Sequence, residues 1–279
     1  MRIILLLVFI AISVRFALYI WSRKGHRQIA RGMRTIAAVN AVMAAYREGD
    51  YETGLQKTEG LKDGFSKTAE YCFFRGTMLH HLGRLGEAEA SLREGLPLED
   101  EPSRRALVYN TLASVLMNQG RFPEAIAFFE NAGRAWPDRG SSHRGIAEVW
   151  LRQGREFPEA LDHARQAVEI DRAASGMKKE ALDTRLGEDL ATLAWAVAAN
   201  STVAANAQTI SEVESLLVEA FQLCGTKTKP VLAQIHFEAG KAYASLKMPG
   251  KSQEQFHKAQ EMDPNGIHAR LSSAAAANN

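Results

Sequence analysis

The stretch GRFPEAIAFFENAGRAWPD, residues 120–138, contains pieces that recur elsewhere in the chain. Gly120-Arg121-Phe122-Pro123-Glu124-Ala125 is close to Gly83-Arg84-Leu85-Gly86-Glu87-Ala88. Gly154-Arg155-Glu156-Phe157-Pro158-Glu159-Ala160 repeats it with one residue more. A glycine after an apolar periodic run, followed by Pro or Glu, marks the end of one helix and the first turn of the next. Working outward from these turns, the chain divides into blocks that begin at Thr35, Ala69, Ala106 and Gly140, in steps of 34, 37 and 34 residues. A period near this length signals a repeat architecture in which each unit is one supersecondary element.

The block from Ala106 shows the logic. With Ala106 as position 1, Tyr109, Leu112, Ala113 and Leu116 fall at 4, 7, 8 and 11, the spacing of one buried helical stripe. Gly120 at 15 ends that helix. Ala125, Phe129 and Ala132 at 20, 24 and 27 form the facing stripe of a second, and Pro137 at 32 closes the unit. The block from Ala233 matches as well, with Gly240, Tyr243, Phe256, Ala259 and Pro264 at 8, 11, 24, 27 and 32, and Ser252 at 20. The block from Ala69 supplies Gly76, Leu79, Gly83, Ala88 and Leu92. That from Gly140 needs an insertion at Glu156 before Ala160, Ala164 and Ala167 fall in phase, and that from Thr35 shows Gly49-Asp50-Tyr51 and Gly54. Between Asp171 and Pro230 the register is lost, apart from a degenerate unit near Gly187 with a long turn from Asn200 to Thr209.

This pattern resembles the tetratricopeptide repeat. The resemblance implies an all-α solenoid of five or six antiparallel helix pairs over residues 35–265, with small residues letting helices approach and large ones filling the gaps. It also implies a concave groove lined by the first helix of each pair. Carried over by position, the groove presents Phe73, Thr77, His80 and His81, then Asn110, Ser114, Met117 and Asn118, then Arg144, Glu148, Leu151 and Arg152. A protein or peptide partner is expected there: amides for its backbone at Asn110 and Asn118, an acidic group at Arg144 or Arg152, an apolar side chain on Phe73 or Met117. The chaperone-tail clamp of some family members is missing, because its basic and amide positions hold Phe73, Thr77, Thr111, Ser141 and Gly145.

The residues before the array differ from it in charge and hydropathy. The first acidic residue is Glu48; Arg2, Arg15, Arg23, Lys24, Arg27, Arg31, Arg34 and Arg47 precede it. The remaining 26 basic residues face 32 acidic ones, a net charge of about −6 over residues 48–279. A basic foot under an acidic body argues against nucleic acid and for anionic lipid. Ile3 to Trp21 is apolar except for Ser13 and Arg15, and as a helix would span roughly 28 Å, enough for a single crossing with Arg15 snorkelling to the interface. Residues 1–22 are read as a membrane anchor and 23–34 as a basic juxtamembrane segment that keeps the repeats cytoplasmic. The alternative is a cleaved signal sequence, with Ala11-Ile12-Ser13 at the cleavage position and an exported repeat protein that assists assembly of an envelope complex.

No phosphate loop, nucleophile elbow or metal-binding His pair appears, so no catalytic residue, metal or cofactor is expected. Cys72 and Cys224 have no paired spacing and are read as packed helix residues. Residues 266–279 are expected to form a disordered tail.

Overall fold

The computed structural model describes Ala37 and residues 39–60, 68–155, 157–201, 206–225 and 228–277. The chain divides into two units, Met1–Ala41 and Val42–Asn279. The first contributes only helical residues 37 and 39–41 to the description, so the expected anchor over 1–22 and the basic segment over 23–34 lie outside it. Among the described residues no helix is long and apolar enough to cross a membrane.

The second unit is helical, with no strand among the described residues. Helices α1 (42–48) and α2 (Tyr51–Glu59) make the first pair, α3 (Ala69–His81) and α4 (Leu85–Gly95) the second. Then follow α5 (Pro102–Asn118) with α6 (Phe122–Ala135), and α7 (Ser141–Gln153) with α8 (Phe157–Ala173). The last pairs are α9 (Lys179–Asn200) with α10 (Ala207–Cys224), and α11 (Lys229–Ser245) with α12 (Pro249–Met262). The stretch that lost register is thus a full pair, the fifth of six along the described residues, and its second helix begins at Ala207, before the Thr209 expected to end the turn.

The recurring Gly-Arg motif has a physical reading. Gly83 and Gly120 take φ of +74° and +76°, and the next N–H groups, of Arg84 and Arg121, reach back to the Leu79 and Leu116 carbonyls at 2.9 Å. This left-handed cap closes the first helix of both of these pairs. The arginine that follows then grips the glutamate three residues on: Arg84 meets Glu87 with two bonds of 2.7 Å, and Arg121 meets Glu124 at 2.7 and 2.6 Å. In the third copy the extra residue moves the carboxylate out of step, and Arg155 Nε donates instead to Gln153 at 2.7 Å. These pairs are exposed, so solvent screening leaves them little net effect on stability.

The core lies between the two helix layers as successive clusters rather than around one centre. Ala88, Ala113, Ala125, Ala132, Ala160 and Ala259 are buried, as the repeat phase requires. Where the phase puts glycine at position 8 the helices come closer still: a Cβ on Gly76 would sit 2.6 Å from Leu92. Cys72 and Cys224 are both buried, and they form no disulfide with each other.

The carboxyl-terminal tail corrects the expectation of disorder. Residues Ile267–Ala277 form α13, with Ile267, Ala269 and Ser272 buried. Alanine is the strongest helix former, and the side chains of Leu271, Ala275 and Ala276 cover the Phe237–Phe256–Ala259 cluster that the last pair leaves open. A second departure concerns the ends of the unit, which meet. The Tyr51 hydroxyl donates to Asp263, Arg270 Nη2 donates to the His81 carbonyl, and Lys229 pairs with Glu48 at 3.0 Å. The solenoid coils until its first and last turns touch.

The last block lacks the turn glycine: Lys247 stands at its position 15 with φ +56°. We expect Lys247→Gly to relieve a left-handed side chain and raise stability by up to about 1 kcal/mol. Gly120→Ala, in open space at φ +76°, should lower it by about the same amount. Thermal melts of the two variants check both signs.

Candidate functional site

Because each pair presents its first helix inward, α1, α3, α5, α7, α9 and α11 all contribute to one concave wall. The touching ends turn that wall into a cavity of about 350 Å³. Phe73, Thr77, His80, His81, Asn110, Ser114, Met117, Asn118, Arg144, Glu148 and Arg152 all line it. Of the carried-over positions only Leu151 turns away, into the core cluster of the next pair. Apolar side chains of Met43, Phe73, Phe74, Leu107, Met117 and Val231 share the lining with the polar groups.

The polar residues are not idle. Arg144 meets Glu188 at 3.0 Å and Asp189 at 3.1 Å across to α9. Burial opposes its charge, but Glu188, Asp189, Glu238 and Glu148 more than offset this and hold the guanidinium above its ordinary range. Burial pushes the Asp189 carboxyl well up, against the pull of Arg144 and with Asp171 adding to the rise. Arg152 donates to Glu148 and to Asn118 Oδ1, the latter at 2.6 Å, and lies over the Phe237 ring. With its oxygen so engaged, Asn118 turns its amide nitrogen to His80 Nε2 at 2.7 Å, so that this ring nitrogen accepts and the proton sits on Nδ1. The two cations expected to receive a partner's acidic group are therefore taken by carboxylates of the same chain.

The histidines belong to the closure. His81 stacks on Tyr51 with ring centres 4.6 Å apart, while its neighbour His80 faces Asn118. Burial, then Arg152 and Arg270, lowers His80 to about 4. Burial first holds His81 and His268 well below the usual histidine range. All three line the cavity as neutral rings. Asn110 donates to Ser141 Oγ at 3.0 Å, and its own Oδ1 is buried without a partner.

Several lining residues escaped the reading by position. Glu188 and Gln234 sit at position 2 of the blocks from Gly187 and Ala233, so the groove rule extended to those blocks finds them. His268, on the helix beyond the repeats, and Arg139, in the turn between α6 and α7, carry no such signal.

Residues 104–173 match one tetratricopeptide repeat model and residues 233–265 another, so those segments are similar to tetratricopeptide repeats. No curated protein matches the chain. Among solved structures, yeast Tom70 is 17% identical, with a TM-score of 0.50 over 81% of this chain. This chain spans 43% of the Tom70 chain. A thermophilic TPR protein of Thermus thermophilus is 17% identical over 76% of this chain and 100% of its own, at a TM-score of 0.47. YrrB, a TPR protein with an unusual peptide-binding site, is 20% identical over 78% of this chain and 97% of its own, at 0.37. At these identities the likeness to Tom70 concerns the fold alone.

Glu238 provides a pH test of the buried wall. Its carboxylate oxygens accept from Thr192 at 2.7 Å and Gln234 at 2.9 Å. Burial, with Glu148 behind it, raises it from 4.5 to about 8. A folded-state pKa above the unfolded value gives stability that is complete below about pH 4.5 and is lost as pH rises through about 8. His80 has the opposite sign, its stability being present above about pH 6.5 and lost as pH falls through about 4. In Glu238→Gln the histidines are unchanged, so the difference from wild type isolates the carboxyl. The variant's melting temperature should gain on wild type between pH 5 and 8 and level off above. Melts at pH 5, 7 and 9 that run parallel would contradict this account.

Proposed function

We propose that the chain is a non-catalytic adaptor that receives a protein or peptide partner on the concave side of its repeats. The observation that carries this reading is the convergence of eleven residues, chosen by the family's groove positions, on one cavity lined by both apolar and polar side chains. Proteins with such repeats generally serve as interaction scaffolds, in keeping with the family matches. A cavity of about 350 Å³ between touching ends takes a chain end or a few side chains more readily than a long extended segment. Phe73 and Asn110 are the natural contacts, since both line the cavity and neither belongs to the ion-pair network.

The same proposal gives the amino terminus a role. Residues 1–22 tether the adaptor to a membrane, Arg23, Lys24, Arg27, Arg31 and Arg34 rest on anionic headgroups, and the repeats face the cytoplasm. The length of the apolar run and the charge contrast with the acidic body support this. The partner is thereby held close to the bilayer.

Two measurements test the two halves. Deleting residues 1–22 should move a folded body from the membrane pellet to the supernatant; a body that stays pelleted removes the tether. A mature amino terminus near Val14 by mass spectrometry would favour the exported alternative. Affinity purification from crosslinked cells should lose the partner when Phe73→Ala and Asn110→Ala are combined. An unchanged set of captured proteins would move binding away from the cavity.

A further inference from the structure

The cavity wall has a third guanidinium besides Arg144 and Arg152, and it differs from them. Arg139 lies in the turn between α6 and α7, half-buried, and lines the same cavity. Among the described residues no carboxylate lies within ion-pairing distance of it. The acids that act on it at longer range are engaged elsewhere: Glu188 with Arg144 at 3.0 Å and Asp171 with Arg185 at 2.8 Å. Its Nε donates to Ser141 Oγ at 2.9 Å, on the oxygen that also accepts from Asn110, and its guanidinium lies 5.1 Å over the Trp136 ring. Arg139 is thus held in place by neutral groups. Burial, then repulsion from Arg185, pushes it down to about 10. A half-buried cation lacking a counter-charge is costly to the fold, and a ligand's anion relieves that cost. Beside it the Asn110 Oδ1 atom, buried and unpartnered, offers an acceptor for a backbone N–H.

We propose that Arg139, rather than Arg144 or Arg152, receives a carboxylate of the bound polypeptide, while an adjacent apolar group occupies the Phe73–Phe74 side of the cavity. The inference rests on the peptide-adaptor reading and adds to it the chemistry of the recognised segment: a carboxylate next to an apolar residue. That carboxylate comes from a chain end or from an acidic side chain, and the planar fork of Arg139 suits either.

The full-length protein is tested against a library of synthetic octapeptides of random sequence, each made with a free and with an amidated carboxyl terminus. We expect the peptides retained by wild type to carry an acidic or terminal carboxylate beside an apolar residue. Their affinity should fall about tenfold or more in Arg139→Gln and stay within twofold in Arg134→Gln, a solvent-exposed change on α6. Loss on amidation assigns the terminal carboxylate; loss on changing Asp or Glu to its amide assigns the side chain. Arg139→Gln should melt at or above the wild-type temperature, because it removes a cation that the fold leaves uncompensated, so lost binding is separated from unfolding. Retained peptides without carboxylate preference, bound equally by Arg139→Gln, overturn this inference and leave the groove reading standing. A library from which no peptide is retained overturns both.

Discussion

A Cβ on Gly240 would lie 2.5 Å from the Phe256 ring, and one on Gly145 would lie 2.2 Å from Phe129. These approaches, tighter than any two side chains allow, are the constraint on which the architecture depends. Where a small residue on one helix meets a large one on the next, the backbones settle at one separation, and each pair hands the same offset to its neighbour. Curvature then accumulates with each unit, and the first helices face inward as a consequence of packing rather than of any preference of their own.

Accumulated curvature brings Tyr51 to Asp263 and Arg270 to His81, more than 180 residues apart in the chain. Once the ends touch, residues that would face water on an open groove face one another. Desolvation then governs their chemistry. The histidines lose their protons, Glu238 keeps one to unusually high pH, and the arginines of α7 take carboxylates from α7 and α9. Buried ion pairs of this kind add little net stability but penalise the loss of either partner strongly, which fixes how successive pairs sit against each other.

The consequence for recognition is a division of labour among like groups. Arg144 and Arg152 hold the wall together, whereas Arg139, anchored by a hydroxyl and an indole, retains its charge for something outside the chain. A half-buried cation without a paired carboxylate gains from an anionic ligand what the empty fold does not supply, and binding and stability are separable by substitution. The helix α13 adds to this arrangement by placing His268 in the wall and covering the last pair, a role for which its composition, mostly alanine and serine, prepares it only in part.

The repeat phase, the glycine turns and every helix pair but the one between Asp171 and Pro230 were legible in the order of residues, because each depends on contacts within one unit or with the next, while the inward-facing positions came from the family that the pattern resembles. Ala125, Gly76 and Phe256 declare their places by spacing, and of the twelve groove positions that the resemblance implied, all but Leu151 line the cavity. What counting does not reach is anything set by the summed geometry of all the pairs. Only the tertiary structure decided that the groove closes, that Arg144 and Arg152 are already paired, and that α13 is ordered against the last pair. It alone set Arg139, a turn residue with no assigned position, in the cavity wall, where among the described residues no carboxylate pairs with it. The reason is physical: local periodicity fixes which face of a helix is buried, but the small rotation between pairs decides which distant residues come together, and that rotation is the product of many contacts at once.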